Sequence, residues 1–158
     1  MRSVSLVRLA EESDYDRIVE ARMRFFDDQI DKGLLDIPLD LPDYLHRTTL
    51  AAIAQKRSAI LVAESRFPPM SYSLLANKFV PNQRNPNVWA VEEFYVAPSA
   101  RGVGAGRVLA TASIEFMRAK NAERIQLRVL NQNGEGHAFW HRVGFRPALS
   151  IYELPEVD

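Results

Sequence analysis

The sequence lacks cysteine entirely and carries no excess of either charge. Without cysteine, its 158 residues cannot supply a disulfide, a thiolate metal ligand or a thiol nucleophile. The 20 Lys and Arg residues balance 20 Asp and Glu residues, and zero net charge removes the usual electrostatic basis for nucleic-acid binding. No run approaches the roughly 18 apolar residues of a membrane span, and the N-terminal residues contain no signal-peptide core. We therefore expect a soluble, cytoplasmic protein that binds neither nucleic acid nor membrane.

The length and composition predict one globular domain over residues 1–158, since 47% of the residues are hydrophobic and 25% are charged. Hydrophobic periodicity divides this domain into strands and helices. Helices are expected from an N-cap at Ser13 to Lys32, and over 41–57, 107–119 and 134–143. Strands are expected over 3–10, 58–65, 72–80, 88–96, 124–130 and 148–154. The predicted fold class is α/β of the α+β type, with a mixed, mostly antiparallel central sheet flanked by helices.

A glycine-rich loop, Arg101-Gly102-Val103-Gly104-Ala105-Gly106-Arg107, joins the fourth strand to the third helix. Three glycines spaced two apart allow a sharp turn and leave backbone N–H groups uncovered. The first turn of the following helix adds unpaired donors and the positive end of its dipole, so the loop suits phosphate oxygens. A tight turn that binds no ligand is the alternative interpretation.

Other common site motifs do not fit the chain. A P-loop needs Lys followed by Ser or Thr after its last glycine, whereas Arg107 and Val108 stand there. The dinucleotide-binding pattern needs a glycine at position 107 and an acid about 20 residues further on, and this chain has neither. No G-x-S-x-G motif supports a hydrolase. His137 and His141 stand at i, i+4 on one helix but lack a third ligand, so we predict no metal site.

Three motifs at matching spacings resemble the GNAT superfamily of N-acetyltransferases. Arg101-x-x-Gly104-x-Gly106 is similar to that family's pyrophosphate motif, and it follows a strand that ends Glu93-Phe94-Tyr95-Val96-Ala97-Pro98. Further on, Asn133 stands seven residues before Trp140, and Gly144-Phe145 closes the last helix. The resemblance is close over residues 88–146 and covers the rest of the chain in outline.

The resemblance implies the acyl-CoA N-acyltransferase fold, with acetyl-CoA as co-substrate. In that fold the fourth and fifth strands separate, and the pantetheine arm pairs with the backbone of the fourth strand. The residues thus implied in CoA binding are Phe94, Tyr95 and Val96 on the strand, Arg101, Gly102, Val103, Gly104, Ala105, Gly106 and Arg107 in the loop, and Asn133 and Trp140 beyond it. Because no cysteine can form an acyl-enzyme, direct attack by a primary amine in a ternary complex is favoured.

Two neighbouring acids, Glu92 and Glu93, are the candidate catalytic bases. An amine has a pKa of about 10, so it must lose a proton before it can attack. A carboxylate in an otherwise apolar strand can accept that proton, directly or through water. Adjacent strand residues face opposite sides, so only one of the two can point at the substrate. Glu92 lies four residues before Val96, where some family members carry their base, and it is preferred over Glu93. Either acid can instead be a solvated side chain.

The chain departs from the family pattern at Trp140, where a tyrosine often protonates the leaving thiolate. An indole N–H has essentially no acid function near neutral pH, so water or another group must supply the proton. Tyr72, Tyr95 and Tyr152 are alternatives, although each is typical of a half-buried core aromatic. The same departure keeps a second function open, that of a catalytically weak or inactive CoA-binding or sensing module.

An acidic segment covers the first two helices and the loop between them, the side from which this family's acceptor approaches. Residues 11–43 contain eleven acids and four basic residues, a net charge of −7. Such a field would concentrate a cationic acceptor, either a small amine or a peptide N-terminus. Amphipathic helices also present charged faces to water, which is the alternative interpretation. The sequence leaves the oligomeric state open between monomer and homodimer.

Overall fold

The computed structural model describes residues 6–33, 37–65 and 67–156. Within these ranges, five strands form one sheet in the order β1-β2-β3-β4-β5, antiparallel except that β4 and β5 are parallel. The strands are β1 (Val7–Leu9), β2 (Ser58–Ala63), β3 (Ser71–Asn77), β4 (Val88–Tyr95) and β5 (Arg124–Leu127). The helices are α1 (Tyr15–Asp31), α2 (Leu41–Ile53), α3 (Ala105–Ala119) and α4 (Gly134–Val143). The predicted mixed, mostly antiparallel sheet with flanking helices is thereby confirmed.

The first two helices cover one face of the sheet and the last two cover the other. On the first face, Ile18 of α1 and Ala52 of α2 are buried against Tyr72 of β3. On the second face, Leu109 and Met117 of α3 are buried in a separate core with residues of β2, β3 and β4. These two apolar cores hold β4 between the helical layers. None of the described helices is long and apolar enough to cross a membrane.

A β-bulge in β4 interrupts its pairing with β3. Leu74 pairs with Glu93, whereas the next residue, Leu75, pairs with Val91, so Glu92 is an extra residue in β4. Leu74 packs in the core under α1 and α2, while Leu75 and Val91 pack in the core under α3. The bulge therefore reverses the alternation of side chains along β4, and such bulges also bend and twist a strand.

β4 and β5 separate immediately after the bulge. Their parallel pairing runs from Val88 with Arg124 to Val91 with Leu127. Within the described part of the sheet, residues 92–95 of β4 have no strand on their β5 side. The separation leaves a gap that opens toward the glycine loop, as the family resemblance implied.

The structure corrects the predicted strand over residues 148–154. The described residues 145–156 form no helix or strand, and residues 146–156 are all exposed. The apolar alternation of this segment is typical of a strand, but a strand also needs a neighbour, and none of the described strands pairs with it.

Several boundaries also differ from those predicted. A 3-10 turn over Glu12–Asp14 precedes α1, so Asp14 rather than Ser13 is the residue before the helix. α2 ends at Ile53 instead of residue 57, because Gln55 and Arg57 adopt left-handed backbone angles. The strands expected to reach residues 80 and 130 end at 77 and 127. Residues 3–5 of the first predicted strand lie outside the described residues.

Candidate acyl-CoA site

The glycine loop forms a backbone cradle at the N-terminus of α3. Gly102 and Gly104 have φ angles of 76° and 86°, left-handed values that strain a residue with a Cβ atom. Gly104 directly precedes α3, whose first-turn N–H groups lack partners within the helix. At Gly106 a Cβ atom would stand 3.3 Å from both Val96 Cγ2 and the Phe139 ring. The loop conformation therefore depends on the glycines that the sequence motif contains.

A cavity of about 310 Å³ lies over this cradle, between the loop, the end of β4 and α4. Its lining includes three arginines, Arg101, Arg107 and Arg142. Positive side chains beside the N-terminus of a helix favour phosphate oxygens. Arg101 also braces the loop, since its Nε donates a hydrogen bond to the Val96 carbonyl at 2.9 Å. The lining therefore has the chemistry of an anion site, and phosphate binding there stays a prediction.

The strand residues predicted to contact the pantetheine arm lie where β4 leaves β5. The Phe94 side chain points toward α4, with its ring centroid 4.8 Å from that of Trp140. Tyr95 is buried in the core under α1 and α2, and Val96 lines the cavity. The side chains thus anchor this part of β4 in both cores, while its backbone borders the gap. Backbone pairing with pantetheine stays a prediction.

Glu92 projects from the bulge toward the α2 side of the sheet. Its side chain is 28% exposed, and its Oε1 lies 2.5 Å from Lys78 Nζ. Burial, followed by the charges of Glu93 and Glu92, raises the pKa of the Tyr44 hydroxyl on α2, so both carboxylates lie near this helix. The expected alternation of the two side chains is wrong here because the bulge breaks it, whereas the expectation that only one of the acids can face the substrate stays a prediction.

Glu93 is only 4% exposed and both of its oxygens are bonded. Arg22 Nε donates to Oε1 at 2.9 Å and Arg22 Nη2 donates to Oε2 at 2.6 Å. The Tyr72 hydroxyl donates to Oε1 at 2.8 Å. Burial and the neighbouring Glu93 charge raise the pKa of Tyr72 well above its ordinary value, so this hydroxyl stays a donor. Glu93 is thus part of a buried polar cluster.

Arg22 connects that cluster to α2. Its Nη1 donates to the hydroxyls of Thr48 and Thr49 at 2.7 Å and 2.9 Å, and to the Leu45 carbonyl at 3.3 Å. Burial acts to lower the pKa of Arg22, but the bonds and charge of Glu93 outweigh it and raise the pKa overall. Arg22 therefore stays charged and joins α1, α2 and β4 directly behind the bulge.

The last two predicted CoA contacts are Asn133, at the N-cap of α4, and Trp140, within that helix. Asn133 precedes the helix, and its Oδ1 accepts a hydrogen bond from the Gly136 amide at 3.1 Å. It lines a second pocket, beside Asp31 and Lys32. Trp140 packs against the rings of Phe94, Phe139 and Phe145. From α4, the first cavity is lined by Phe139, Arg142 and Val143, so CoA contacts by Asn133 and Trp140 stay predictions.

Sequence reasoning missed three charged residues of the site, Arg22, Lys78 and Arg142. No motif marks Lys78 or Arg142, which reach the site from elements distant in the chain. Arg22 did have a signal, because it stands midway between Ile18 and Phe26 on the apolar stripe of α1 at i+4 spacing. Across the described residues, no group of three His, Asp or Glu side chains is arranged to hold a metal ion.

Residues 72–145 match the model of the acetyltransferase (GNAT) family. In an alignment of 71 positions that covers 42% of this chain, the sequence is 34% identical to a mycothiol acetyltransferase from Beutenbergia cavernae. The aligned stretch spans 24% of that relative, about a quarter of its length.

Solved structures share the fold over nearly the whole chain. AAC(6')-Iy in complex with the bisubstrate analogue CoA-S-monomethyl-acetylneamine superposes with a TM-score of 0.76 at 14% identity, covering 99% of this chain and 100% of that one. A tetramutant of the BH1408 protein from Bacillus halodurans superposes with a TM-score of 0.75 at 21% identity, covering 96% and 99%. At these identities the likeness establishes the fold. The family match includes the bulged strand, the glycine loop and α4, so over just under half of its length the chain is similar to the acetyltransferase (GNAT) family.

Proposed function

We propose that this chain is an acetyl-CoA-dependent N-acetyltransferase that acetylates a primary amine of a small cationic molecule. The observation that carries the proposal is the gap between β4 and β5, which opens onto a glycine cradle lined by three arginines. The family match supports the same class of reaction. The structural neighbour AAC(6')-Iy was solved with an analogue that joins CoA to an acetylneamine, which is in keeping with transfer to an amine.

The residues of the cradle fit the phosphate end of CoA. Backbone N–H groups of residues 102–106 and the first turn of α3 would bind pyrophosphate oxygens, and Arg101, Arg107 and Arg142 would supply the positive charge. The pantetheine arm would enter the gap and pair with the β4 backbone over Phe94–Val96, in the manner of an added strand. A β4 amide would then stabilise the negative charge that develops on the thioester oxygen.

Glu92 would accept the proton of the acceptor ammonium. It is the partly exposed carboxylate of the pair, and its ion-pair partner among the described residues is another ammonium, that of Lys78. An acceptor ammonium would compete with Lys78 for the same carboxylate. Once deprotonated, the amine nitrogen attacks the thioester carbon and the C–N bond forms. As the C–S bond breaks and the CoA thiolate leaves, the nitrogen gives up its second proton to water, which can pass a proton on to the thiolate. A general base of this kind contributes about 10²–10⁴-fold to the rate.

Glu93 would serve as a positioning residue. Its two oxygens accept three hydrogen bonds from Arg22 and Tyr72, and a proton from a substrate would have to displace one of them. The same bonds fix β4 against α1 and β3 at the residue next to Glu92, and Arg22 extends the link to α2 through Thr48 and Thr49. The cluster would therefore hold the bulge, and with it the base, at a constant position.

Water is our proposed proton donor for the thiolate. The Tyr72 hydroxyl already donates to Glu93. Burial raises the pKa of Tyr95, which makes it a poorer acid, and Tyr152 is 94% exposed in a segment outside the fold. A thiol of pKa about 8.5 leaves as a thiolate without strong assistance.

A cationic acceptor is supported by the acids of α1 that remain in water. Asp14 is buried between Arg8 and Arg17, so its charge is neutralised locally. Glu20, Asp27 and Asp31 are exposed, and their field would attract an amine to the α1 side of the sheet. The alternative is a CoA-binding or sensing module without turnover, which is favoured by Trp140 in place of a tyrosine and by the Glu92–Lys78 pair.

An assay of CoA thiol release distinguishes the two functions. We expect acetyl-CoA to stabilise the chain against thermal unfolding, and thiol to be released only when a suitable amine is added. The panel of acceptors should include a polyamine, an aminoglycoside and a basic peptide with a free N-terminus. Binding without release for any amine would favour the sensing module. A chain that acetyl-CoA does not stabilise would contradict both functions.

A further inference from the structure

Seven basic residues and one acid lie at the end of the sheet where β4 begins. This basic end is defined as residues 54–57, 77–88 and 117–124, which are the turn before β2, the loop from β3 to β4, and the turn between α3 and β5. Its basic residues are Lys56, Arg57, Lys78, Arg84, Arg118, Lys120 and Arg124, and its acid is Glu123. The basic end therefore carries a net charge of +6, and the rest of the neutral chain carries −6. The zero total charge, on which the expectation of no nucleic-acid binding rests, conceals this separation.

Two asparagines tie the three segments of the basic end into one surface. The Asn77 amide donates a hydrogen bond to the Arg57 carbonyl at 2.8 Å, and Asn77 Nδ2 donates to Asn87 Oδ1 at 2.9 Å. Asn87 Nδ2 donates in turn to the carbonyls of Lys120 and Asn121 at 3.1 Å and 2.7 Å. Neighbouring strands are about 4.8 Å apart, so the surface spans roughly 14 Å from β2 to β5. The segments that carry the basic residues therefore hold fixed relative positions.

Six of the seven basic side chains are free to bind an anion. Lys78 is paired with Glu92, whereas none of the other six lies within ion-pair distance of a carboxylate among the described residues. All six of these residues are exposed. The length of β4, eight residues or roughly 25 Å, separates them from the glycine cradle, and none of them lines the cavity there. The basic end is therefore an anion-binding surface distinct from the candidate acyl-CoA site.

Phe79 adds an exposed aromatic ring to the basic end. It is 52% exposed, and the Arg57 guanidinium carbon lies 5.9 Å from its ring centroid. Its amide donates a hydrogen bond to Asn77 Oδ1 at 3.0 Å, which holds the loop in place. An aromatic face among cations suits a single strand, because an unpaired base can stack on the ring while its phosphates meet the charges. A membrane surface is a poorer fit, since Phe79 is the only exposed large apolar residue in the three described segments.

We propose that the basic end binds single-stranded nucleic acid, with phosphates on its lysine and arginine side chains and a base stacked on Phe79. Phosphate contacts of this kind supply affinity and position the strand without reading its sequence. The acids that balance the chain lie elsewhere, so their repulsion falls on other faces of the molecule. This inference does not depend on the proposed catalytic activity.

Fluorescence polarisation with oligo(U) and oligo(dT) probes of about 15 nucleotides tests the proposal for RNA and for DNA. We expect log Kd to rise with log salt with a slope of about 3–4, since each phosphate contact of a single strand contributes about 0.7. Arg57→Gln combined with Arg84→Gln should lower this slope by about 1.4. Arg128→Gln combined with Arg146→Gln removes the same charge from exposed positions outside the basic end and should leave the slope unchanged. Both double variants should keep the circular dichroism spectrum of the unmodified chain.

Phe79→Leu separates stacking from charge, because it keeps an apolar side chain but removes the aromatic face. Affinity for the probes should fall about fivefold or more, with the salt slope unchanged. The proposal would be overturned if neither probe bound at about 50 mM salt, if both double variants lost equal affinity, or if Phe79→Leu bound as tightly as the unmodified chain. Tighter binding to phosphatidylserine vesicles or to polyglutamate than to the probes would equally overturn it, and would assign the basic end to a membrane or to an acidic protein.

Discussion

Replacing Arg22 by methionine should lower the free energy of unfolding by about 3–5 kcal/mol, because it leaves the Glu93 carboxylate buried without its counter-charge. Arg22 is 0% exposed and Glu93 is 4% exposed, so water cannot replace the lost partner without opening the core. Two of the three hydrogen bonds to the carboxylate disappear, and only that from Tyr72 remains. Domains of this size are stable by about 5–15 kcal/mol, so the loss is a large fraction of the total.

The double variant Arg22→Met with Glu93→Leu is the matched control. It removes both charges together, and replacement of a complete buried ion pair by apolar residues is often neutral or stabilising. The hydroxyl of Tyr72 would still lose its acceptor, at a cost of about 1–3 kcal/mol. We therefore expect the double variant to be more stable than Arg22→Met alone.

Urea unfolding followed by circular dichroism measures both differences. The reasoning would be refuted by an Arg22→Met protein within about 1 kcal/mol of the unmodified chain, since measured costs of an unpaired buried charge are larger. A double variant less stable than Arg22→Met would also refute it, because the unpaired Glu93 carboxylate would then stabilise the fold instead of destabilising it.

Three further predictions concern the loop, the charges and the acceptor. Gly104→Ala should weaken CoA binding at least tenfold by calorimetry, whereas Gly33→Ala, at a φ of 95° outside the loop, should strain the chain at least as much, since its Cβ would also stand 2.9 Å from Gln132 Nε2, and leave CoA affinity unchanged. Equal losses of CoA affinity in the two variants would mean that Gly104→Ala acts only by destabilising the fold. Hydrogen bonds from two arginines hold the pKa of Asp14 well below its usual range. The stability that the ionised Asp14 gives the folded state is therefore complete above about pH 4, and it is lost as the pH falls further. The stability deficit of Asp14→Asn in thermal unfolding should accordingly shrink between pH 7 and pH 2.5, and a constant deficit would contradict the ion-pair account. Asp27→Asn combined with Asp31→Asn should raise KM for a cationic amine at low salt and have less effect at high salt, where charges are screened; an unchanged KM would remove the steering role.

Much of the fold and the phosphate cradle could be predicted from the sequence. The three loop glycines are a local requirement of backbone geometry, and α4 has its predicted bounds because Asn133 caps it and Gly144 ends it. α3 similarly follows from apolar residues four apart. Each of these sequence signals lies within a few residues of the loop or helix that it determines.

The geometry of the candidate base could not be predicted in the same way. A bulge depends on how β4 meets both β3 and β5, so the sequence of β4 alone gave no sign that Glu92 and Glu93 would share a side. The partner of Glu93 lies 71 residues away on α1. The strand expected at 148–154 is wrong for a related reason, because strand pattern is local whereas strand pairing is not.

The turnover of Glu92→Gln, with Glu115→Gln as the control, tests the central claim most directly. Gln retains the size of the side chain at the bulge but cannot accept the ammonium proton, and Glu115 is an exposed acid of α3 away from the cavity. With an acceptor from the thiol-release panel, we predict that kcat falls by about 10²–10⁴-fold in Glu92→Gln while the acetyl-CoA Kd is unchanged, and that Glu115→Gln is fully active. Full turnover by Glu92→Gln with unaltered acetyl-CoA binding would contradict the assignment of Glu92 as the base.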